Sequence, residues 1–367
     1  MKKKEKFYSL DKIKKHNAEY NLIIGERSNG KTYSVKMEIL KKHAASKCHD
    51  QAALIRRWDE DFKGARGSNM FSDIVENGEL QKLFGDKYDD IKYFRHAWYL
   101  SKKDEKGKDV REVEPFCWAF ALTAMDHDKS TSYPTITTVL FDEMLTRKQY
   151  LPDEFILFMN CLSTIIRERD NVTIYMLGNT VSHFSPYYGE MGLKHIRQMK
   201  QGTIDVYTYG ENGCKVAVEY IGESKFLKKS NKYFAFDNPK LNMIKSGAYE
   251  LDVHPHLTRR FKRSEIIFIY FIKYEEYLIQ CEVVQSDNEV FTYVHEKTTE
   301  LKDLDNDLIY TTEITSKPNQ RVGLVKPRDK IGEKVAYFYK QNLVFYQNNE
   351  IGEIVSNYIK DTDGVII

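Results

Sequence analysis

The sequence predicts an α/β protein: a mostly parallel sheet with flanking helices, followed by a small α+β domain at the C-terminal end. Two observations lead to this class. Over the first 200 residues, short β-rich runs alternate with amphipathic helical runs, which is typical of a parallel sheet with crossover helices. After residue 264, three strand-like runs at 264–273, 276–285 and 289–295 precede two helical runs near 331–341 and 349–360.

Local patterns place the elements of the first part. We expect an inserted hairpin at 90–123, with its tip at the charged stretch SKKDEKGKD. Residues from about 200 to 260 show no regular periodicity and contain basic clusters, which predicts a linker subdomain. The domains are therefore expected at residues 1–200, 201–260 and 261–367. Expected strands of the first are 20–24, 52–56, 137–141 and 172–177, and expected helices are 32–44 and 152–167.

Composition argues against several classes of protein. No apolar run approaches the ~18 residues of a membrane span, and the Lys-rich N-terminus lacks the apolar core of a secretory signal. The five cysteines form no CxxC pair, which favours reduced thiols, a cytoplasmic setting and no zinc ribbon. A formal charge of +2 neither requires nor excludes nucleic acid, because a local basic surface is enough to bind it.

The stretch GERSNGKT, residues 25–32, matches the phosphate-binding loop GxxxxGK[ST]. Glycines let backbone N–H groups wrap the phosphates, and the following helix directs its positive end at them. Lys31 would reach the β- and γ-phosphates of ATP, and the Thr32 hydroxyl would hold Mg²⁺. The predicted nucleotide-binding residues are Gly25, Arg27, Ser28, Asn29, Gly30, Lys31, Thr32 and Tyr33.

A second motif is TTVLFDEM, residues 137–144, where the apolar β-formers Val139, Leu140 and Phe141 run into two acids. An acid at the end of a buried strand is costly unless a cation or partner is near. Asp142 would contribute to the Mg²⁺ site, and Glu143 would act as general base on the attacking water. The alternative is a strand that simply exits into an acidic loop.

Two further side chains have a functional and a plain interpretation. Asn179, at the end of the strand-like run 172–177, fits a polar residue beside the γ-phosphate that senses ATP against ADP, or an ordinary turn residue. Arg167, at the end of the helix in IIRERD, fits a group that stabilises transition-state charge at a neighbour's γ-phosphate. It also fits a solvated helix end, where the helix dipole favours arginine.

The order of these motifs resembles the DNA-packaging ATPases of φ29-like podophages. The resemblance covers about residues 18–190 and rests most on KSTSYPTITTVLFDE and STIIRERDNVTIYMLGN. It implies that Arg167 is a trans-acting arginine finger and that Lys148 lies at a subunit junction. Arg27, Arg56 and Arg57 also match. It further implies a ring, usually a pentamer, that threads double-stranded DNA at the capsid portal in the host cytoplasm, in some relatives with a structural RNA.

The DNA-contacting residues are less evident. Where the family has a basic residue after the arginine-aromatic strand, this chain has Asp59 and Glu60, so Lys63 and Arg66 are the expected substitutes. In the C-terminal domain the first strand, EIIFIYFIKY, has Glu265 as its only acid, and Asp287 and Glu289 belong to a turn. A vestigial ribonuclease-H-like domain that does not cleave is therefore favoured. Its basic stretch LTRRFKR, with Arg259 and Arg260, fits phosphate contacts or solvated linker charges.

The motifs favour an ATP-hydrolysing DNA motor over three alternatives. A P-loop kinase or nucleotide transferase would need an arginine-bearing lid and an acceptor pocket. A cleaving terminase would need the missing carboxylates. A non-enzymatic adaptor would not need an intact set of catalytic residue types.

Overall fold

The computed structural model describes residues 8–127, 131–146, 150–180, 185–222, 254–257, 259–286, 289–313, 315–327 and 329–363. The chain divides into two compact units, Met1–Glu250 and Leu251–Ile367. Within the described ranges, no helix is long and apolar enough to cross a membrane.

The first unit contains ten strands and seven α-helices among its described residues. The strands are β1 (Tyr20–Gly25), β2 (Gln51–Arg56), β3 (Asp90–Phe94), β4 (Ala97–Lys103), β5 (Asp109–Arg111), β6 (Cys117–Ala121), β7 (Ile136–Asp142), β8 (Thr173–Asn179), β9 (Thr203–Tyr209) and β10 (Cys214–Tyr220). The helices are α1 (Asp11–Lys14), α2 (Lys31–Ala45), α3 (Ala65–Ser68), α4 (Ser72–Glu76), α5 (Glu79–Phe84), α6 (Glu154–Ile166) and α7 (Pro186–Glu190).

These strands form one sheet in the order β3-β4-β6-β2-β7-β8-β1-β10-β9, with β5 paired to β4. The pairs from β6 to β10 along this order are parallel, and the outer pairs are antiparallel. β1, β7 and β8 are almost wholly buried, as expected for parallel strands covered on both faces. Helix α2 packs into the core of one face and α6 into the core of the other. The predicted α/β class is confirmed.

One expectation for this unit is wrong. Residues 203–220, expected in an irregular linker, form the hairpin β9–β10, and β10 extends the parallel sheet beside β1. The expected hairpin with its tip in SKKDEKGKD is confirmed, because β4 and β5 pair antiparallel on either side of residues 104–108. A second hairpin, β3–β4, turns at Arg95 and His96. The rest of the expected linker, residues 223–253, lies outside the described residues.

The second unit is a six-stranded sheet with two helices in its described part. β11, β12 and β13 correspond to the three expected strand-like runs and form an antiparallel meander, and β14, β15 and β16 are added in parallel. Asp329 caps the first helix, since its carboxylate accepts a bond from Gly332 N at 2.8 Å. The elements are β11 (Ile266–Tyr274), β12 (Tyr277–Ser286), β13 (Glu289–Glu296), β14 (Ile309–Thr311), β15 (Gln320–Arg321), α8 (Lys330–Lys340), β16 (Val344–Tyr346) and α9 (Asn349–Asp363).

Candidate nucleotide-binding site

The loop between β1 and α2 has the shape that the phosphate-loop motif predicts. β1 ends at Gly25, and α2 begins at Lys31 directly after Gly30, whose φ of 93° suits glycine. Gly25 is needed for a close approach, since a Cβ there would stand 2.9 Å from Ile221 Cβ. The backbone therefore wraps the N-terminal end of α2, where anions are favoured.

Lys31 connects this loop to the end of β8. Its buried ammonium donates to Gly25 O at 3.1 Å, to Glu26 O at 2.7 Å and to Asn179 Oδ1 at 3.2 Å. Asn179 therefore lies at the phosphate loop, because β8 is the parallel neighbour of β1. In addition, the buried Asn29 Nδ2 has no hydrogen-bond partner among the described residues, which leaves a donor for an anionic oxygen.

The end of β7 brings the first acid to the same place. Thr32 Oγ1 donates to Asp142 Oδ1 at 3.2 Å, and the Asp142 side chain is buried. A hydroxyl and a carboxylate are hard oxygen ligands, and Mg²⁺ in nucleotide sites is commonly held by one or two protein oxygens together with water and substrate phosphates. The donor set at Thr32 and Asp142 therefore fits Mg²⁺.

Arg56, at the end of β2, bridges both acids. Its Nη2 lies 2.7 Å from Asp142 Oδ2 and its Nη1 lies 2.8 Å from Glu143 Oε2. Glu143 has a φ of 62°, unusual for a non-glycine residue, and its side chain is 59% exposed. The sequence marked Arg56 only by resemblance, because its contact with Glu143 depends on β2 and β7 being neighbours in the sheet.

Arg57 holds the main chain at Glu143 and Met144, directly after β7. Its guanidinium is paired with the fully buried Glu154 carboxylate at 2.6 and 2.7 Å, and it donates to Glu143 O at 3.3 Å and Met144 O at 3.0 Å. The Tyr187 hydroxyl also donates to Glu154, at 2.7 Å. Burial, followed by the Glu154 charge, raises the pKa of Tyr187 well above its usual value, so it remains a donor.

The phosphate loop, Arg56, the two acids and Asn179 line one cavity of about 740 Å³, within the usual size range of small-molecule sites. The sequence-predicted residues that line it are Arg27, Ser28, Asn29, Gly30, Lys31, Thr32, Tyr33, Asp142, Glu143 and Asn179. Gly25 contributes its carbonyl to Lys31 instead.

Arg167 lies at the opposite ends of the strands, near the N-terminal end of β7. It follows α6 and donates to Thr131 O at 2.9 Å, upstream of the start of β7, and it is exposed. The seven residues of β7, at ~3.3 Å each, separate that end from Asp142 by about 20 Å. Arg169, a second arginine of the same stretch, donates to four backbone carbonyls and so has a structural role. Lys148 lies outside the described residues.

Three of the four expected DNA-contacting residues have a partner within their own unit. Lys63 pairs with Asp59 at 2.9 Å and Glu60 at 3.2 Å, and these bonds raise its pKa. Arg66 donates to Glu60 O at 3.2 Å. In the second unit, Arg259 pairs with Glu265 at 2.6 Å, whereas Arg260 is exposed.

The second unit has no evident nuclease site in its described residues. β11 carries no acid, and Glu265 caps the short helix before it. The buried Glu282 is paired with His295 at 3.3 Å, and Asp287 lies outside the described residues. Across the described part of the whole chain, no group of three or more His, Cys, Asp or Glu side chains could hold a metal ion.

Fold and site together define an α/β protein of the phosphate-loop class. More narrowly, the chain belongs to the podovirus DNA encapsidation protein (Gp16) family, whose model matches residues 1–361. This confirms the resemblance inferred from the sequence motifs.

Individual relatives agree with this assignment. The DNA packaging protein of Bacillus phage phi29 is 28% identical over 188 residues, which is 50% of this chain and 50% of that protein. The match thus spans about half the length of that relative. The phi29 viral genome packaging motor assembly is similar in fold, with a TM-score of 0.59 at 19% identity over 97% of this chain and 99% of that chain. The Phi-28 gp11 DNA packaging motor has a TM-score of 0.57 at 16% identity over 98% and 99%.

Proposed function

We propose that this protein is the ATP-hydrolysing subunit of a ring motor that moves double-stranded DNA into a preformed phage capsid. One observation carries the proposal. The phosphate loop, the acids at the end of β7 and Asn179 at the end of β8 line one cavity. The exposed Arg167 lies at the opposite ends of these strands. Membership of the encapsidation family supplies the context of a DNA substrate and a capsid portal.

In the proposed reaction the chain binds ATP and positions a water. Lys31 and the backbone N–H groups of residues 27–31 bind the phosphates, and Thr32 and Asp142 would hold Mg²⁺. Bound Mg²⁺ supplies positive charge that neutralises the phosphate oxygens. Glu143 takes the proton of the attacking water. In this structure the Glu143 carboxylate is paired with Arg56 at 2.8 Å.

The position of Arg167 supports a ring. An arginine about 20 Å from its own phosphate loop can stabilise γ-phosphate charge only in another copy of the chain. We therefore propose a homo-oligomeric ring, with a pentamer as the expected number, assembled in the host cytoplasm at the portal vertex. The C-terminal unit is proposed to contact DNA, the portal or a structural RNA without cleaving.

The test is phosphate release by the purified chain with and without double-stranded DNA. We expect DNA to raise the rate and Lys31→Ala to abolish it by removing phosphate binding. A rate indifferent to DNA, or transfer of phosphate to an added small acceptor instead of water, would contradict the motor and favour a kinase.

A further inference from the structure

The loop after β2, which the sequence suggested as the DNA contact, has little positive charge to offer. Between residues 59 and 66 it carries three carboxylates against two cations. Both Asp59 and Glu60 pair with Lys63, and Arg66 is bound to the main chain of Glu60. Since a phosphate would have to displace these partners and face their charge, the loop is a poor site for a polyanion.

The β3–β4 turn lies directly beside that loop and is fixed to it. Trp98, at the start of β4, donates its indole N–H to Gly67 O at 2.8 Å. Gly67 permits this packing, since a Cβ there would stand 2.6 Å from the Tyr93 ring. His96 Nδ1 lies 3.8 Å from Asp59 Oδ1. The loop and the turn therefore form one continuous surface.

The residues of the β3–β4 turn are unusual for its backbone conformation. Arg95 and His96 have φ values of 48° and 56°, a conformation that two-residue hairpin turns normally assign to Asn-Gly or Asp-Gly. Both side chains are exposed, so core packing does not account for them. Strained backbone with exposed polar side chains is a pattern associated with functional sites.

Two arginines converge on one aromatic ring next to the turn, on a surface we call the arginine platform (Phe94, Arg95, Tyr99 and Arg111). The Arg95 guanidinium lies 5.0 Å from the Phe94 ring centre, and that of Arg111 lies 4.0 Å from Phe94 and 4.7 Å from Tyr99. In the described part of the chain, neither guanidinium forms an ion pair with a carboxylate. Two guanidinium groups held together without a counter-charge favour an anion.

The β3–β4 turn is directed toward the C-terminal ends of β2 and β6, where the candidate nucleotide site also lies. Ala119 N, in β6, donates to His96 O at 2.8 Å, and β6 runs parallel to β2, which ends at Arg56. The β3–β4 turn is therefore directed toward the edge where Arg56 contacts Asp142 and Glu143.

We propose that the arginine platform binds backbone phosphates of duplex DNA, in place of the neutralised loop at residues 59–66. The inference rests on the proposed motor function and names the surface by which that motor contacts its substrate. Duplex DNA presents a phosphate charge about every 1.7 Å of its axis. Guanidinium groups already lie over Phe94, so stacking of an unpaired base on this ring is disfavoured, which argues against single-stranded RNA.

The salt dependence of DNA binding tests the proposal with the full chain. Arg95→Gly suits the positive φ, and combined with Arg111→Gln it removes both charges without disturbing the turn. For a fluorescent 30-base-pair duplex, we expect the slope of log Kobs against log salt to fall in magnitude by about 2, because each phosphate contact contributes ~0.9. The matched control, Lys106→Ala/Lys108→Ala, removes equal charge from the β4–β5 connection and should leave the slope unchanged.

The following outcomes test the DNA contact at the arginine platform separately from the proposed motor function. ATP hydrolysis in the absence of DNA should be unchanged in the platform variant. An equal fall of slope in the Lys106/Lys108 control, or a fall caused by Lys63→Ala/Arg66→Ala but not by the platform variant, overturns the assignment. A loss confined to duplex RNA, or a loss of self-association at matched concentration, would also overturn it. If the unmodified chain binds no duplex DNA, both proposals fail together.

Discussion

Arg57 gives the sharpest stability prediction. Replacing it by Met removes the only cation paired with the buried Glu154 carboxylate in the described structure and leaves that group with Tyr187 and Leu151 N as donors. Breaking one side of a buried ion pair costs roughly 3–5 kcal/mol. For a unit of this size, about 2–4 °C of Tm is lost per kcal/mol, so the transition of the first unit should fall by about 6–20 °C.

Thermal unfolding followed by differential scanning fluorimetry measures the effect. The double variant Arg57→Met/Glu154→Gln removes the uncompensated charge and should recover at least half of the loss, because neutralising both partners is far less costly than removing one. The recovered protein should still hydrolyse ATP slowly, since Arg57 no longer holds the carbonyls of Glu143 and Met144. A loss of unfolding free energy under ~1 kcal/mol in Arg57→Met is the size expected for an exposed ion pair. It would refute the description of Arg57 and Glu154 as a buried pair that stabilises this unit.

Three further predictions concern chemistry. Glu143→Gln should bind ATP normally but hydrolyse it at least ~10²-fold more slowly, as expected for loss of a general base; near-normal turnover would exclude it from the mechanism. Arg167→Ala should lose the ~10³–10⁵-fold acceleration of an arginine finger while keeping ATP binding, and mixing it with Glu143→Gln should restore part of the activity; mixed rings that stay inactive would exclude a trans role. The purified chain should not linearise supercoiled plasmid in Mg²⁺ or Mn²⁺; cleavage abolished by changing Asp287 or Glu289 would reveal a nuclease site.

Local signals predicted much of the site. The phosphate loop, the acid-terminated strand and helix α6 all follow from short motifs or helical periodicity, and their bounds differ little from the expected ones. Their proximity was partly predictable too, because adjacent parallel strands end at one edge of a sheet.

Contacts that depend on strand order could not be predicted. Arg56 reaches Glu143 only because β2 and β7 pair, and no local pattern states that pairing. The hairpin at Arg95 and His96 lacks the Gly or Asn that normally signals such a turn. By contrast, β9–β10 had a usable signal: the GENG turn, with Gly210 and Gly213 at positive φ, separates two β-rich runs.

Packaging itself is the most direct test of the motor. Purified procapsids with their portal, the unmodified chain, ATP and double-stranded DNA are incubated and then treated with nuclease. The account predicts ATP-dependent, nuclease-protected DNA that is lost when Glu143→Gln replaces the unmodified chain. Equal protection by the Glu143→Gln chain or without ATP, or no protection by a chain that demonstrably binds the portal, would contradict it.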